Sequence, residues 1–181
     1  MKVENSALGG VLLLEPRVFG DARGFFYESY NRKTFAQATG LDVAFVQDNH
    51  SRSSKNVLRG LHYQLRQPQG KLVRVTVGEI WDVAVDLRRS SKSFGRWTAA
   101  TLSVESRRML WVPAGFAHGF LVLSEQAEVQ YKTTDYYAPE QERTLLWNDP
   151  ALAIAWPLTG EPTMTDKDRL GTPLARAETF E

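Results

Sequence analysis

Ala127-Glu-Val-Gln-Tyr-Lys-Thr-Thr134 carries the clearest strand pattern in the chain, because charged and less polar side chains alternate along it. Glu128 and Lys132 share one face of such a strand, which we expect to meet solvent. Val129 and Tyr131 share the other face and are predicted to point inward. A buried tyrosine hydroxyl needs a partner, so Tyr131 is either a satisfied core residue or a functional group.

Similar short runs, apolar or alternating, recur between Gly, Pro, Asn, Asp and Ser residues along the chain. No βαβ rhythm is present, which predicts an all-β sandwich, jelly roll or barrel. The predicted strands are Val11–Leu14, Gly24–Tyr30, Phe45–Asp48, Val57–Gln64, Leu72–Val77, Ile80–Leu87, Trp97–Leu102, Met109–Val112, Gly119–Leu123 and Ala127–Thr134, with Leu145–Trp147 and Ala153–Trp156 as shorter candidates.

Two short helices are predicted from their end signals. Asn31 can cap a helix that contains Thr34 to Thr39 and ends at Gly40. Thr165 and Asp168 have the spacing of an N-cap followed by a carboxylate at the third helical position, which predicts a second helix near the C-terminal end.

Composition limits the classes of function. The 181 residues suit one domain, 1–181, and 22 Lys and Arg against 21 Asp and Glu leave a net charge of +1. We therefore expect no nucleic-acid surface. Without cysteine there is no disulfide, thiolate metal site or cysteine nucleophile. No secretory signal or membrane-length apolar run is visible, which predicts a cytoplasmic protein with no membrane partner.

The segment Val57-Leu-Arg-Gly-Leu-His-Tyr-Gln64 is the least ordinary strand, because it carries three polar side chains. Strict alternation places His62 and Gln64 on one face and Arg59 on the other. Gly60 is predicted to mark a bulge that redirects these side chains, a device that is common beside active sites. A hydrogen-bonded structural histidine and a functional one remain equally good interpretations of His62.

The sequence also predicts where two other groups of polar residues lie. Asp82 and Asp86 share one face of their predicted strand and are expected to be exposed. His50 lies in the polar run Gln47-Asp-Asn-His-Ser51, which is expected to be a turn or a ligand-binding loop.

Histidines on strands of a small barrel suggest the cupin superfamily, many members of which bind a metal. Here Gln64 stands where a second histidine ligand is expected, and Lys71 lies where an acidic ligand is wanted. His62 and His118 without a third strong ligand make a poor transition-metal site. We therefore predict no metal and an organic ligand.

Taken together, eight motifs resemble the dTDP-4-dehydrorhamnose 3,5-epimerase family, and they follow the family's order over nearly the whole chain. Their combination is far more specific than any one of them. The motifs are Gln47-Asp-Asn-His-Ser51, Val57-Leu-Arg-Gly-Leu-His-Tyr-Gln64, Gln69-Gly-Lys-Leu-Val-Arg74, Asp82-Val-Ala-Val-Asp86, Ser93-Phe-Gly95, Pro113-Ala-Gly-Phe-Ala-His-Gly119, Trp147-Asn-Asp-Pro150 and Lys167-Asp168.

The resemblance implies a cupin-type jelly-roll barrel that works as a homodimer without metal or cofactor. It implies inversion at C3 and C5 of dTDP-4-dehydro-6-deoxy-D-glucose to give dTDP-4-dehydro-L-rhamnose, on the route to dTDP-L-rhamnose and cell-surface polysaccharide such as O-antigen. His62 would be the base, Asp168 its partner, Tyr131 the proton donor and Lys71 the cation near the C4 oxygen.

The resemblance also implies a set of substrate-binding residues. Arg23 and Arg59 would contact the pyrophosphate, Tyr137 would stack on thymine, and some of the set would serve the partner's site across a dimer. The implied binding residues are Arg23, Glu28, Gln47, Asp48, Asn49, Arg59, His118, Tyr137, Glu142 and Lys167.

Three alternatives remain at this point. The closest is an epimerase that inverts only one carbon of a related dTDP-4-keto-6-deoxy sugar, since its catalytic residues would look alike. A sugar-binding cupin without activity would be free to lose the base or the acid, yet both positions are filled. A metal-dependent cupin oxygenase would need the ligands that are missing.

Overall fold

The computed structural model describes residues 1–181, which form thirteen strands and two α-helices. The helices are α1 (Arg32–Thr39) and α2 (Asp166–Arg169). The strands are β1 (Lys2–Asn5), β2 (Leu12–Glu15), β3 (Val18–Asp21), β4 (Gly24–Tyr27), β5 (Gln47–Ser54), β6 (Leu58–Gln64), β7 (Lys71–Val77), β8 (Glu79–Asp86), β9 (Trp97–Ser103), β10 (Met109–Val112), β11 (Phe116–Val122), β12 (Gln126–Thr133) and β13 (Glu142–Thr144).

The strands form two facing antiparallel sheets and a separate hairpin. The first sheet has six strands in the order β1-β2-β10-β7-β12-β5, and the second has five in the order β13-β6-β11-β8-β9. Strands β3 and β4 pair only with each other. Neighbours in each sheet are mostly distant in sequence, as in a jelly roll, so the all-β prediction is confirmed.

Both sheets pack on their inner faces and are partly covered on their outer faces. Side chains from the two inner faces, such as Val73, Val129 and Phe120, form the central core. Helix α1 inserts Phe35 between Trp111 and its neighbours on the outer face of the first sheet. The segment after β13 covers the outer face of the second sheet, where Trp156 packs against Trp81. Burial of each such side chain contributes roughly 1.5–3 kcal/mol.

The end signals of both helices act as predicted. The Asn31 side chain accepts hydrogen bonds from the backbone N–H groups of Lys33 and Thr34, and Gly40 ends α1 with φ of 74°. Thr165 Oγ1 accepts the N–H of Asp168 at 3.3 Å. Helix α2 is a single turn, and its importance is that it holds Asp168 in place.

Several expectations from the sequence are wrong. The polar run 47–51 is neither turn nor loop but the start of β5, whose residues pair with β12 along its whole length. Residues 153–156 form no strand, and the short strand expected at 145–147 lies earlier, at Glu142–Thr144. Two short strands, β1 and β3, carry weak apolar patterns and were not predicted.

Asp82 and Asp86 are the largest departure from expectation, because both are completely buried instead of exposed. Strand β8 lies inside the second sheet, and the first sheet covers the face that carries the two carboxylates. Alternation identifies the shared face correctly but cannot show that both faces of the strand are covered. No helix in the structure is long and apolar enough to cross a membrane.

Candidate active site

A cavity of about 350 Å³ opens between the two sheets and collects most of the predicted functional side chains. Strands β5, β7 and β12 supply one wall, and β6, β11 and β13 supply the other. The predicted residues that line this cavity are Gln47, Asn49, Arg59, His62, Lys71, His118, Tyr131, Tyr137 and Glu142.

A very close approach of two strands shapes one wall. A Cβ on Gly60 would lie 2.6 Å from Gly119 Cα, and Gly60 has φ of 111°, so only glycine fits. The pairing of β6 with β11 shifts register here, between His118 and Phe120, which confirms the predicted bulge. As a result Arg59 and His62 both line the cavity, although strict alternation would separate them.

His62 and Asp168 form a hydrogen-bonded dyad. Asp168 Oδ1 lies 2.5 Å from His62 Nε2, and the carboxylate is almost fully buried. Burial opposes ionisation, but hydrogen bonds from His62 and Thr165 outweigh it and lower the pKa of Asp168. An ionised Asp168 orients the ring and can stabilise an imidazolium, so His62 is equipped to accept a proton.

A second cavity of about 380 Å³ lies beside the dyad. Arg59, His62, Lys167 and Asp168 line it. His62 and Arg59 border both cavities.

Lys71, the first residue of β7, places a buried amine in the main cavity. Its Nζ donates a hydrogen bond to the backbone oxygen of His62 at 3.4 Å. Burial lowers the pKa of Lys71 to about 8, against the charges of Glu142 and Asp82, which raise it. At neutral pH the amine is therefore a cation beside the dyad.

Tyr131 points into the cavity from β12, on the wall opposite His62, which confirms the inward face predicted by alternation. Its hydroxyl makes no hydrogen bond within the chain, unlike that of Tyr63, which donates to the backbone oxygen of Glu178. Burial raises the pKa of Tyr131, although the charge of Arg59 lowers it. The phenol thus keeps its proton at neutral pH and can donate it to a ligand.

A second histidine–carboxylate contact lies next to the first. His118 pairs directly with His62 across β11 and β6, and its Nε2 lies 2.5 Å from Asp82 Oδ1. His118 was among the predicted binding residues, but Asp82 was not, because it was expected to face solvent. The signal for it was a carboxylate between the apolar residues Trp81 and Val83 in the middle of a strand.

Polar groups at the rim of the cavity hold one another in place. Tyr137 Oη donates to Glu142 Oε2 at 2.9 Å, and Lys167 forms an ion pair with the same carboxylate oxygen. Burial alone would raise the pKa of Glu142, but these two contacts lower it. Gln47 accepts the backbone N–H of Tyr137 at 3.0 Å and donates to Asn49 at 2.9 Å.

Three predicted binding residues lie outside both cavities in the single chain. Arg23 is on the β3–β4 hairpin and pairs with Asp21. Glu28 accepts hydrogen bonds from the side chains that begin α1. Asp48 lies on the outer face of the first sheet and pairs with Lys132 at 2.9 Å.

The prediction also omitted some lining residues. Ser51 lines the cavity together with Gln47 and Asn49, and all three have the same parity on β5. Recognising this run as a strand would therefore have identified Ser51. Nowhere in the structure do three His, Asp or Glu side chains come together as a group that could hold a metal ion.

Comparison with known proteins gives consistent results. Residues 5–176 match the family model described as dTDP-4-dehydrorhamnose 3,5-epimerase. A protein of that name from Pseudomonas aeruginosa is 61% identical over 180 residues, which cover 99% of each chain.

Solved structures of sugar epimerases are also similar to this chain. A dTDP-6-deoxy-D-glucose-3,5-epimerase from Legionella pneumophila, in complex with dTDP-4-keto-L-rhamnose, has a TM-score of 0.95 and 48% identity, with 98% of this chain and 94% of that chain covered. A 3'-monoepimerase from Streptomyces bikiniensis, in complex with dTDP-quinovose, has a TM-score of 0.88 and 34% identity, with 94% and 86% covered.

Proposed function

Because the chain belongs to the dTDP-4-dehydrorhamnose 3,5-epimerase family, we propose how the groups in its cavity carry out the reaction of that family. The enzyme converts dTDP-4-dehydro-6-deoxy-D-glucose to dTDP-4-dehydro-L-rhamnose by inversion at C3 and C5. One observation supports the proposed roles most strongly: His62, which is bonded to Asp168, and Tyr131 line one cavity from opposite walls.

The reaction itself defines what the cavity must supply. C3 and C5 both flank the C4 ketone, so loss of either proton gives an enolate whose charge rests on the C4 oxygen. Inversion then requires that a base removes the proton from one face and an acid returns one to the other face. No electrons are transferred, so this chemistry calls for no redox cofactor.

His62 is the base in this proposal. Its Nε2 is bonded to Asp168, and Nδ1, which has no partner in the chain, is the nitrogen that faces a ligand. Proton uptake by His62 gives an imidazolium that the buried Asp168 carboxylate stabilises. Tyr131, on the facing sheet, returns a proton to the opposite side of the carbon.

Lys71 stabilises the enolate. Its ammonium lies in a largely water-excluded place beside His62, where one positive charge has a larger effect on a developing negative charge than it would in water. The residues at the rim would hold the nucleotide: Tyr137 stacks on thymine, Arg59 contacts the pyrophosphate, and Gln47, Asn49, His118, Glu142 and Lys167 form hydrogen bonds.

A homodimer would complete this site. The β3–β4 hairpin pairs with no other strand, and it exposes Phe19, Phe25 and Phe26 by 50%, 57% and 71%. Exposed aromatic residues so close together favour a protein partner. We propose that the hairpin packs on a second copy of the chain and brings Arg23 and Glu28 to the partner's nucleotide, with Asp48 near the same interface.

The proposal also covers cellular context. A dTDP-sugar carries a charged pyrophosphate, which does not cross a bilayer unaided, so the enzyme would work in the cytoplasm where the substrate is made. A reductase that acts on the C4 ketone would consume the product and yield dTDP-L-rhamnose for cell-surface polysaccharide such as O-antigen.

The test is proton exchange with solvent. Purified protein is mixed with dTDP-4-dehydro-6-deoxyglucose in deuterated buffer, and a 4-keto reductase traps the product. We expect deuterium at both C3 and C5 by NMR, and dTDP-L-rhamnose as the trapped product.

The control variant is Tyr131→Phe, which keeps the ring but removes the acid. It should bind dTDP normally and form little inverted product. Exchange at only one carbon of the native enzyme would identify a single-carbon epimerase, whereas tight dTDP binding without any exchange would make the catalytic roles wrong.

A further inference from the structure

The cavity contains two adjacent histidine–carboxylate pairs, of which the proposed mechanism uses only one. His62 and His118 are paired in register on neighbouring strands, and each ring bonds a buried carboxylate through Nε2 at 2.5 Å. The carboxylates come from different places, Asp168 from α2 and Asp82 from β8. Asp82 itself does not line the cavity, so it can act on a ligand only through another residue.

The surroundings of Asp82 are unusual for a carboxylate. Its side chain is completely buried, His118 is its one ion-pairing partner, and Oδ2 has no hydrogen-bond partner at all. A buried oxygen without a partner lowers the stability of the protein, and more so where it carries charge. A carboxylate placed only for stability would be expected to have its oxygens satisfied.

The contact with Asp82 determines which atom His118 presents to the cavity. When one ring nitrogen donates to a carboxylate, the proton is held on that nitrogen and the rotation of the ring is restricted. In His118, Nε2 bonds Asp82, and Nδ1 makes no hydrogen bond within the chain. Because His118 lines the cavity, Nδ1 is the nitrogen left for a ligand.

We propose that Asp82 is a positioning residue for the epimerase: it holds the proton of His118 on Nε2 and fixes the ring so that Nδ1 contacts the bound nucleotide sugar. This rests on the proposed function, in which His118 touches substrate.

The first measurement is a double-mutant cycle on kcat/KM with Asp82→Asn, His118→Ala and the double variant. Asparagine has the same shape as aspartate, so the buried site stays filled. We expect Asp82→Asn to lower kcat/KM roughly 10- to 100-fold, the range seen when the carboxylate partners of metal-bound histidines are removed.

In protein that already carries His118→Ala, Asp82→Asn should lower kcat/KM little further, because the effects of substitutions at residues that act through one another are not additive. Equal losses in both backgrounds would overturn the inference.

The second measurement does not depend on turnover. Nitrogen-15 NMR of labelled protein reports which ring nitrogen of His118 carries the proton. We expect the proton on Nε2 in the native enzyme and a changed distribution in Asp82→Asn. An unchanged distribution would overturn the positioning role.

Asp86→Asn is the matched control, since Asp86 is an equally buried aspartate on the same strand, but it bonds Arg88, Ser91 and Ser93 instead of a residue that lines the cavity. It should leave both kcat/KM and the His118 spectrum unchanged in folded protein. Failure of the proposed function would look different: the native enzyme would then exchange no protons, while the tautomer of His118 would still respond to Asp82→Asn.

Discussion

Asp82 and Asp86 lie four residues apart on one face of β8, and both are completely buried, but their surroundings differ greatly. Asp86 has every oxygen engaged: its carboxylate accepts three hydrogen bonds from Arg88 and one each from the hydroxyls of Ser91 and Ser93. In Asp82, by contrast, Oδ1 bonds His118 and Oδ2 has no hydrogen-bond partner.

The difference separates a structural end of the second sheet from the end that carries the proposed active site. A buried carboxylate with a full set of donors stabilises its loop, and the Arg88 guanidinium also stacks on Phe116. An incompletely satisfied carboxylate beside a cavity stabilises less and leaves its partner free to meet a ligand. The polar groups without a partner in the chain, namely Asp82 Oδ2, the Tyr131 hydroxyl and the Nδ1 atoms of both histidines, lie at the end where we propose that the reaction occurs.

The largest expected effect comes from removing the base at the proposed active site. His62→Asn should lower kcat/KM roughly 10³- to 10⁴-fold, because no other group in the cavity is held by Asp168 to take the proton. Asparagine can still donate to Asp168, so the free energy of unfolding should change by less than about 1 kcal/mol. Steady-state kinetics and urea unfolding check both values, and a variant with near-native turnover would refute the role of His62.

Asp86→Asn should lower the stability of the protein and leave its activity unchanged, the opposite of His62→Asn. The free energy of unfolding should fall by roughly 3 kcal/mol at pH 7, since Arg88 loses its buried counter-ion, while kcat/KM of the folded enzyme stays constant.

The pH dependence sharpens this second prediction. Although burial opposes it, hydrogen bonds from Arg88, Ser91 and Ser93 hold the pKa of Asp86 well below its usual range. A depressed pKa gives stability that is complete above the unfolded-state value of about 4 and is lost as pH falls below it. The difference between native and variant protein in urea unfolding should therefore shrink from pH 5 to pH 2, and a constant difference would contradict the assignment.

A smaller effect should come from titration of Lys71. With a pKa of about 8, the amine loses its proton as pH rises past that value, so stabilisation of the enolate should weaken. We expect kcat/KM, which reports free-enzyme groups, to fall roughly tenfold between pH 7 and pH 9.

Lys71→Arg, whatever its absolute rate, should show no such decline, because arginine stays charged throughout this range. An alkaline decline that is the same in both enzymes would exclude Lys71 as its source.

Features that depend on neighbours in sequence were predictable. Alternation in β12 placed Tyr131 inward because side chains in a strand have a period of two residues, and Asn31 and Gly40 defined the ends of α1 through contacts within a few residues. The family resemblance identified His62, Lys71, Tyr131 and Asp168, and the structure brings these four together at the cavities. Their chemical roles remain proposals.

Features that depend on distant parts of the chain were not predictable. Arg59 and His62 line one cavity because β11 approaches β6 at Gly119 and shifts the register. Asp82 is buried because a sheet formed from other parts of the chain covers its face. The two dyads join residues 106 and 36 positions apart in sequence. Local periodicity records which way a side chain points from its own strand, whereas its burial and its partner depend on long-range packing, which no short stretch of sequence contains.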